Sequence, residues 1–113
     1  MVTLKLHTIN ELNILVQYVT LIIESMETEY GSLSHRSGVD GLKLTAYMEL
    51  MDQFLRKLKI KQIDNKNTNT FKLLDLVAII LIEYNHKYFI NDKFGQNVIL
   101  ESTSAIHKQL INH

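Results

Sequence analysis

The absence of proline constrains this chain more than any other feature of its sequence. Proline and glycine interrupt regular structure most strongly, and the four glycines stand only at positions 31, 38, 41 and 95. The stretches between these positions therefore predict long, unbroken elements. The 113 residues show no internal repeat and no shift of composition. We therefore expect residues 1–113 to form a single helical domain.

The spacing of apolar residues predicts an all-α fold, a compact domain resembling a four-helix bundle. Apolar residues make up 46% of the chain, which is enough to form a core. They recur at intervals of three and four over residues 8–30, 40–61, 71–88 and 98–111, the period of a helix with one buried face. Residues 98–100 also fit a strand.

The first and third predicted helices carry apolar bands wider than one core-facing side. Thr8 and Glu11 form a T-x-x-E capping box, which predicts that the first helix starts at Thr8. The polar residues of this helix form one narrow stripe, so we expect it to be buried on more than one side. The third helix is apolar almost all round, which predicts a place at the centre of the bundle.

A minor two-stranded β element near the N-terminus is compatible with this sequence. Residues 57–63 alternate lysine with apolar residues, so the end of the second helix also fits a strand that pairs with Val2, Leu4 and Leu6. Residues 64–70 are rich in Asn, Asp, Lys and Thr and predict a turn. Residues 91–97 predict another turn around glycine.

The sequence offers no pattern typical of an enzyme. The chain has no cysteine, which excludes thiolate catalysis, disulfides and thiolate metal sites. Glu83 and His86 form a single E-x-x-H pair, whereas a di-iron bundle needs two, so we expect Glu83 to pair with Lys87. Ser34 and His35 are adjacent in a loop without a nucleophile elbow. We expect no catalytic residue, metal, cofactor or small-molecule substrate.

The sequence predicts a cytoplasmic protein. The first residues lack the basic region, apolar stretch and cleavage site of a secretory signal. The most apolar run, residues 73–82, is about half of the ~20 residues that a membrane-spanning helix needs. A chain without cysteine also suits a reducing compartment.

Charges are segregated along the chain although the formal net charge is zero. Residues 1–31 carry four glutamates and one lysine, whereas residues 41–72 carry seven bases and three acids. At the end of the first helix, three carboxylates stand beside an aromatic ring, in Glu24, Glu27, Glu29 and Tyr30. Complementary charge guides encounter and an aromatic side chain adds buried area, so these residues are the candidate site for a basic protein partner.

The basic segment is the candidate site for nucleic acid, and its residues are Arg56, Lys57, Lys59 and Lys61. Clustered bases release counterions from phosphates. A helix terminus, however, favours positive charge without any ligand, and no aromatic residues are interleaved for base stacking. Nucleic acid is therefore the less favoured partner.

These observations favour a protein-binding module without enzymatic activity, such as a small inhibitor or immunity protein that masks a toxin, nuclease or other effector. Small size and a segregated surface charge are the grounds for this hypothesis. The Ile-, Lys- and Asn-rich composition is typical of an AT-rich phage or mobile element. An alternative is a structural subunit, either a helical homo-oligomer or part of a larger complex, because the wide apolar bands exceed what one small core needs.

Overall fold

The computed structural model describes residues 1–33, 39–84 and 92–112, and leaves the side chains of residues 30–33, 39 and 40 undescribed. Within these ranges the chain forms four helices and one two-stranded antiparallel sheet, which confirms the predicted fold class. The elements in chain order are β1 (Val2–Leu6), α1 (Ile9–Leu33), α2 (Val39–Asp64), β2 (Asn69–Leu73), α3 (Asp75–Glu83) and α4 (Lys93–Ile111).

The predicted capping box starts α1. The amide of Glu11 donates a hydrogen bond of 3.1 Å to the Thr8 hydroxyl oxygen, and the Glu11 carboxylate accepts one of 3.1 Å from the amide of His7. The carboxylate thus reaches one residue further back than in the usual box. The amides of His7 and Glu11 have no carbonyl partner within the helix, and these two hydrogen bonds satisfy them.

Helix α1 is the central element of the fold. Its buried residues lie on a broad face that contacts α2, α4 and β1, which confirms the prediction of burial on more than one side. The phenol of Tyr18 reaches α3 and donates a hydrogen bond of 2.7 Å to the carbonyl oxygen of Leu81. Buried apolar side chains from all six elements form one cluster around it.

Helix α2 continues to Asp64, which overturns the alternative strand at residues 57–63. Asn65 ends it with a φ of 54°, the left-handed conformation that commonly terminates helices. The Asn65 amide donates to the carbonyls of Lys61 and Gln62 at 3.2 and 3.1 Å. The inner face of α2 is formed by two groups of residues, of which Leu44, Met51, Phe54, Leu55 and Leu58 are buried and Tyr47 and Met48 are partly buried.

The predicted strand at Val2, Leu4 and Leu6 is confirmed, but its partner is β2 and not residues 57–63. The two strands are antiparallel, with Thr3 opposite Lys72. Side chains alternate strictly between buried and exposed along both strands. The predicted turn over residues 64–70 therefore ends earlier, because β2 begins at residue 69.

Helix α3 is shorter than predicted. Residues 71–73 belong to β2, so the helix begins at Asp75 and not at residue 71. It also lies at the surface, where Leu76 and Ile79 are 37% and 47% exposed, so its predicted central position is wrong. The predicted continuation over residues 85–88 lies outside the described residues.

Helix α4 begins at Lys93, earlier than the predicted residue 98, so residues 93–97 are helical and not a turn. Asp92 caps it, with its carboxylate accepting a hydrogen bond from the amide of Gly95. Ile99 and Ile106 are buried, whereas Ala105 is exposed. The alternative strand at residues 98–100 is excluded.

A side chain of α4 covers the outer edge of β1. The amide of Thr3 donates a hydrogen bond of 2.8 Å to Oε1 of Gln109, and Nε2 of Gln109 donates one of 2.6 Å to the Thr3 carbonyl oxygen. The carboxamide therefore takes the place of a third strand at this point. The β1 edge is satisfied within the molecule at Thr3.

Candidate protein-binding surface

A groove opens where the end of α1, the start of α2 and the end of α3 meet. Its volume is about 220 Å³, and we call it the acidic groove. Two carboxylates and one ammonium group give it a negative balance. Its lining residues are Glu29, Lys43, Leu44, Tyr47, Ile80, Glu83 and Tyr84.

Glu29 is held in place by a tyrosine from another helix. The hydroxyl of Tyr84 donates a hydrogen bond of 3.2 Å to Oε1 of Glu29. Tyr84 is buried, and its backbone amide closes α3 by donating to the carbonyls of Ile80 and Ile82. The same residue therefore ends one helix and orients the carboxylate of another, which stays half-buried.

An apolar strip leads along α3 into the acidic groove. Leu76, Ile79 and Glu83 are exposed and follow one another at intervals of three and four, so they share one face of the helix. We call these three residues the α3 strip. It places exposed apolar surface next to carboxylates.

The predicted acidic site is only partly gathered in one place. Glu29 lines the acidic groove, whereas Glu24 and Glu27 are exposed and do not line it. The side chain of Tyr30 lies outside the described residues, and Tyr84 is the aromatic residue that contacts Glu29. Tyr84 could not be predicted as a site residue because it is 55 residues away from Glu29 in the sequence.

A second groove lies between α2 and β2. Its volume is about 330 Å³, and we call it the basic groove. Three lysines and two buried phenylalanines shape it, and its lining residues are Phe54, Lys57, Ile60, Lys61, Thr70, Phe71 and Lys72. The rings of Phe54 and Phe71 meet edge to face, with centroids 6.2 Å apart.

The predicted nucleic-acid site divides between this groove and the open surface. Lys57 and Lys61 line the basic groove. Arg56 points elsewhere and forms an exposed ion pair of 3.0 Å with Asp52, and Lys59 is exposed outside the groove. Lys72 was missed as a site residue, although the alternating pattern of residues 69–73 puts it on a strand.

No described residues form a set with the pattern of a metal site, that is, three or more His, Asp or Glu side chains gathered together. His35, His86 and Lys87, which sequence reasoning considered, lie outside the described residues, as does Ser34. Burial raises the pKa of Tyr18 above its ordinary value, and its hydroxyl is engaged with a backbone carbonyl. Its role in the described structure is therefore to hold two helices together.

None of the helices in the described ranges has the length and apolar character needed to cross a membrane. Comparison of the chain with known protein families, with curated proteins and with solved structures finds no match.

Proposed function

We propose that this protein is a non-enzymatic protein-binding module of the inhibitor or immunity type, which masks a basic effector protein. The observation that carries the proposal is the acidic groove with the α3 strip beside it. Both belong to one surface because Glu83 is a member of each.

This surface has the composition of a protein interface. Such interfaces combine an apolar centre with a polar rim, and aromatic residues supply much of the buried area. Leu76 and Ile79 are the apolar part, and Glu29 and Glu83 supply the negative charge. Tyr47 lines the acidic groove as a half-buried ring. A partner with exposed Lys or Arg next to an apolar patch would complement it.

The contact between Glu29 and Tyr84 prepares the carboxylate for binding. A side chain that is already ordered loses less conformational entropy when a partner binds. The phenol leaves one carboxylate oxygen of Glu29 without a protein partner among the described residues. That oxygen can accept a hydrogen bond from a guanidinium or ammonium group.

We place this activity in the cytoplasm, where a chain without cysteine has no need of an oxidising compartment. The Ile-, Lys- and Asn-rich composition supports a phage or mobile element as the source.

Affinity capture of the full chain from its native host, followed by mass spectrometry, tests the proposal. The wild type is compared with Glu29→Lys/Glu83→Lys and with Glu49→Lys/Glu101→Lys, a control pair of exposed glutamates with the same change of net charge. We expect wild type and control to capture a basic protein in equimolar amounts. We expect the groove variant to retain about tenfold less, because opposed charges at an interface become like charges.

Circular dichroism of each variant establishes that it is folded. Capture of no equimolar partner by the wild type would refute the proposal, as would equal capture by the groove variant. An acidic partner would refute it as well.

An assembly subunit is the second candidate, favoured by the exposed leucine and isoleucine of the α3 strip. In a homo-oligomer these side chains would be buried against a second copy. Sedimentation equilibrium of the wild type and of Ile79→Glu distinguishes the two functions. A monomer at micromolar concentration argues against the subunit, whereas an oligomer that Ile79→Glu dissociates supports it.

A further inference from the structure

The outer edge of β2 carries backbone groups that face away from the sheet. Gln109 bonds both the amide and the carbonyl of Thr3, so these groups point away from β2. In an antiparallel pair, opposite residues either exchange both hydrogen bonds or both point outward. Lys72 is opposite Thr3, and Thr70 is opposite Lys5, two residues further along β1. The backbone amides and carbonyls of Lys72 and Thr70 therefore point outward from β2.

These outward groups have no partner in the described part of the chain. On the β1 edge the Gln109 carboxamide pairs the outward groups of Thr3, but no hydrogen bond joins the amides or carbonyls of Thr70 and Lys72 to another described residue. Unpaired strand edges are templates for a further strand. The two edges of the same small sheet therefore differ where Thr3 is opposite Lys72.

The basic groove runs beside this open edge. Thr70, Phe71 and Lys72 are consecutive and all line it. Successive side chains of a strand point to opposite faces, so a groove that touches three in a row lies along the edge and not on one face. The far wall is α2, which contributes Ile60, 59% exposed, and the buried ring of Phe54.

The charge of this groove selects the segment that fits it. Lys57, Lys61 and Lys72 line the groove, and no carboxylate does. None of the three forms an ion pair with a described residue, whereas Arg56 pairs with Asp52. A second copy pairing through its own β2 would bring like charges together, which disfavours self-association there.

We propose that the open edge of β2 and the basic groove together bind an extended, acidic segment of a partner protein by strand addition. The segment pairs its backbone with Thr70 and Lys72, sets alternate apolar side chains over Phe54, Phe71 and Ile60, and directs its carboxylates to the lysines. Main-chain pairing supplies affinity in this mode of recognition, and the side-chain pockets supply specificity.

Nucleic acid fits this groove less well. Single strands are bound by stacking bases on exposed aromatic faces, but Phe54 and Phe71 are only 5% and 6% exposed. A sugar–phosphate backbone also does not present the regular amides and carbonyls that would pair with β2. The free strand edge would remain unused.

This second surface is independent of the acidic groove. The two grooves share no lining residue, and on α2 their nearest lining residues, Tyr47 and Phe54, are about 10 Å apart along the helix axis. Failure of one proposal therefore leaves the other standing, because the charge changes that test them are in different places.

The probe for strand addition is an acetylated octapeptide of alternating Val and Glu, added to the full-length protein. Three matched probes separate the contributions: the same peptide N-methylated at alternate amides, the Val and Lys version, and a thymidine oligonucleotide. Fluorescence anisotropy gives the affinities. Nuclear magnetic resonance gives hydrogen exchange of the Thr70 and Lys72 amides.

We expect the Val and Glu peptide to bind and to slow exchange at Thr70 and Lys72. N-methylation should weaken binding about tenfold or more, because it removes main-chain pairing and keeps the charge. Lys57→Glu/Lys72→Glu should weaken it by a similar factor, whereas Lys59→Glu/Lys108→Glu, a control pair of exposed lysines, should not.

Three results would overturn the proposal. The first is no binding of the Val and Glu peptide. The second is equal binding of its N-methylated form, which would mean that charge alone attracts it. The third is tighter binding of the oligonucleotide with shifts at Lys57 and Lys72, which would assign the groove to nucleic acid.

Discussion

At the scale of single residues, Tyr18 joins α1 to α3 by one buried hydrogen bond. Its hydroxyl donates at 2.7 Å to the carbonyl of Leu81, which lies in the last turn of α3. Tyr18→Phe keeps the ring and removes the donor. We expect the free energy of unfolding, measured with urea, to fall by about 1–3 kcal/mol, the cost of a buried group left unpaired.

Tyr47→Phe is the matched control, since its ring is half-buried and no described residue bonds its hydroxyl. We expect a change within about 0.5 kcal/mol. Equal losses for the two variants would show that the hydrogen bond of Tyr18 contributes nothing specific.

The same phenol predicts how stability depends on alkaline pH. Burial raises the pKa of Tyr18 above its ordinary value of about 10. Above that pH the unfolded chain releases the proton while the folded chain keeps it, so the stability contribution is full below pH 10 and declines as pH rises. Urea unfolding at increasing pH should bring the stability of the wild type closer to that of Tyr18→Phe. A constant difference between them would contradict this.

The residues of the candidate surfaces were predictable only where they are neighbours in sequence. Glu29 was identified because it stands in a run of glutamates, and Lys57 and Lys61 because they share a helix face. Tyr84 and Lys72 join these sites through packing between distant elements. Periodicity says which face of a helix is polar, but not which other element approaches it.

At the scale of elements, Gln109 closes the edge of β1 at Thr3. Gln109→Met preserves the length of the side chain and removes both hydrogen bonds to Thr3. Because the site is exposed and water can replace the carboxamide, we expect stability to fall by about 0.5–1.5 kcal/mol. Hydrogen exchange of the Thr3 amide should accelerate by a larger factor than the fall in the free energy of unfolding alone would produce.

Gln96→Met controls for the substitution itself, since Gln96 is exposed near the start of α4. It should leave exchange at Thr3 unchanged. If both variants behave alike, the carboxamide does not act as a third strand.

Helices α1 and α2 could be predicted closely, whereas the sheet could not. A helix depends on contacts three and four residues apart, which the sequence displays. The partner of β1 depends on contacts between distant segments. Residues 57–63 and residues 69–73 both have the alternation of side chains that a half-buried strand requires. The glutamine, lysine and leucine content of the first segment favours a helix that continues, so the second segment pairs.

Helix α3 shows why an all-round apolar sequence was misleading. Such a helix is usually central, but this one has nine residues and contacts α4 and α1 on one side only. Leu76 and Ile79 remain exposed on the other side. The apolar residues on the outer side of α3 made the helix look central in the sequence, and in the structure two of them, Leu76 and Ile79, belong to the α3 strip.

At the scale of the whole molecule, one cluster of buried side chains connects all six elements. A domain with a single core unfolds as one unit, and removing a central side chain weakens every element together. Leu58 is fully buried in α2, and Leu42 on the same helix is 73% exposed, so the two leucines form a matched pair.

Leu58→Ala should lower the free energy of unfolding by about 2–5 kcal/mol, because it removes a buried side chain and leaves a cavity. Leu42→Ala should change it by no more than about 0.5 kcal/mol. Far-ultraviolet circular dichroism follows the helices, and amide exchange at Val2, Leu4 and Phe71 follows the sheet. Both should report the same stability in each variant. A sheet that opens at lower free energy than the helices would show that β1 and β2 form a separate unit.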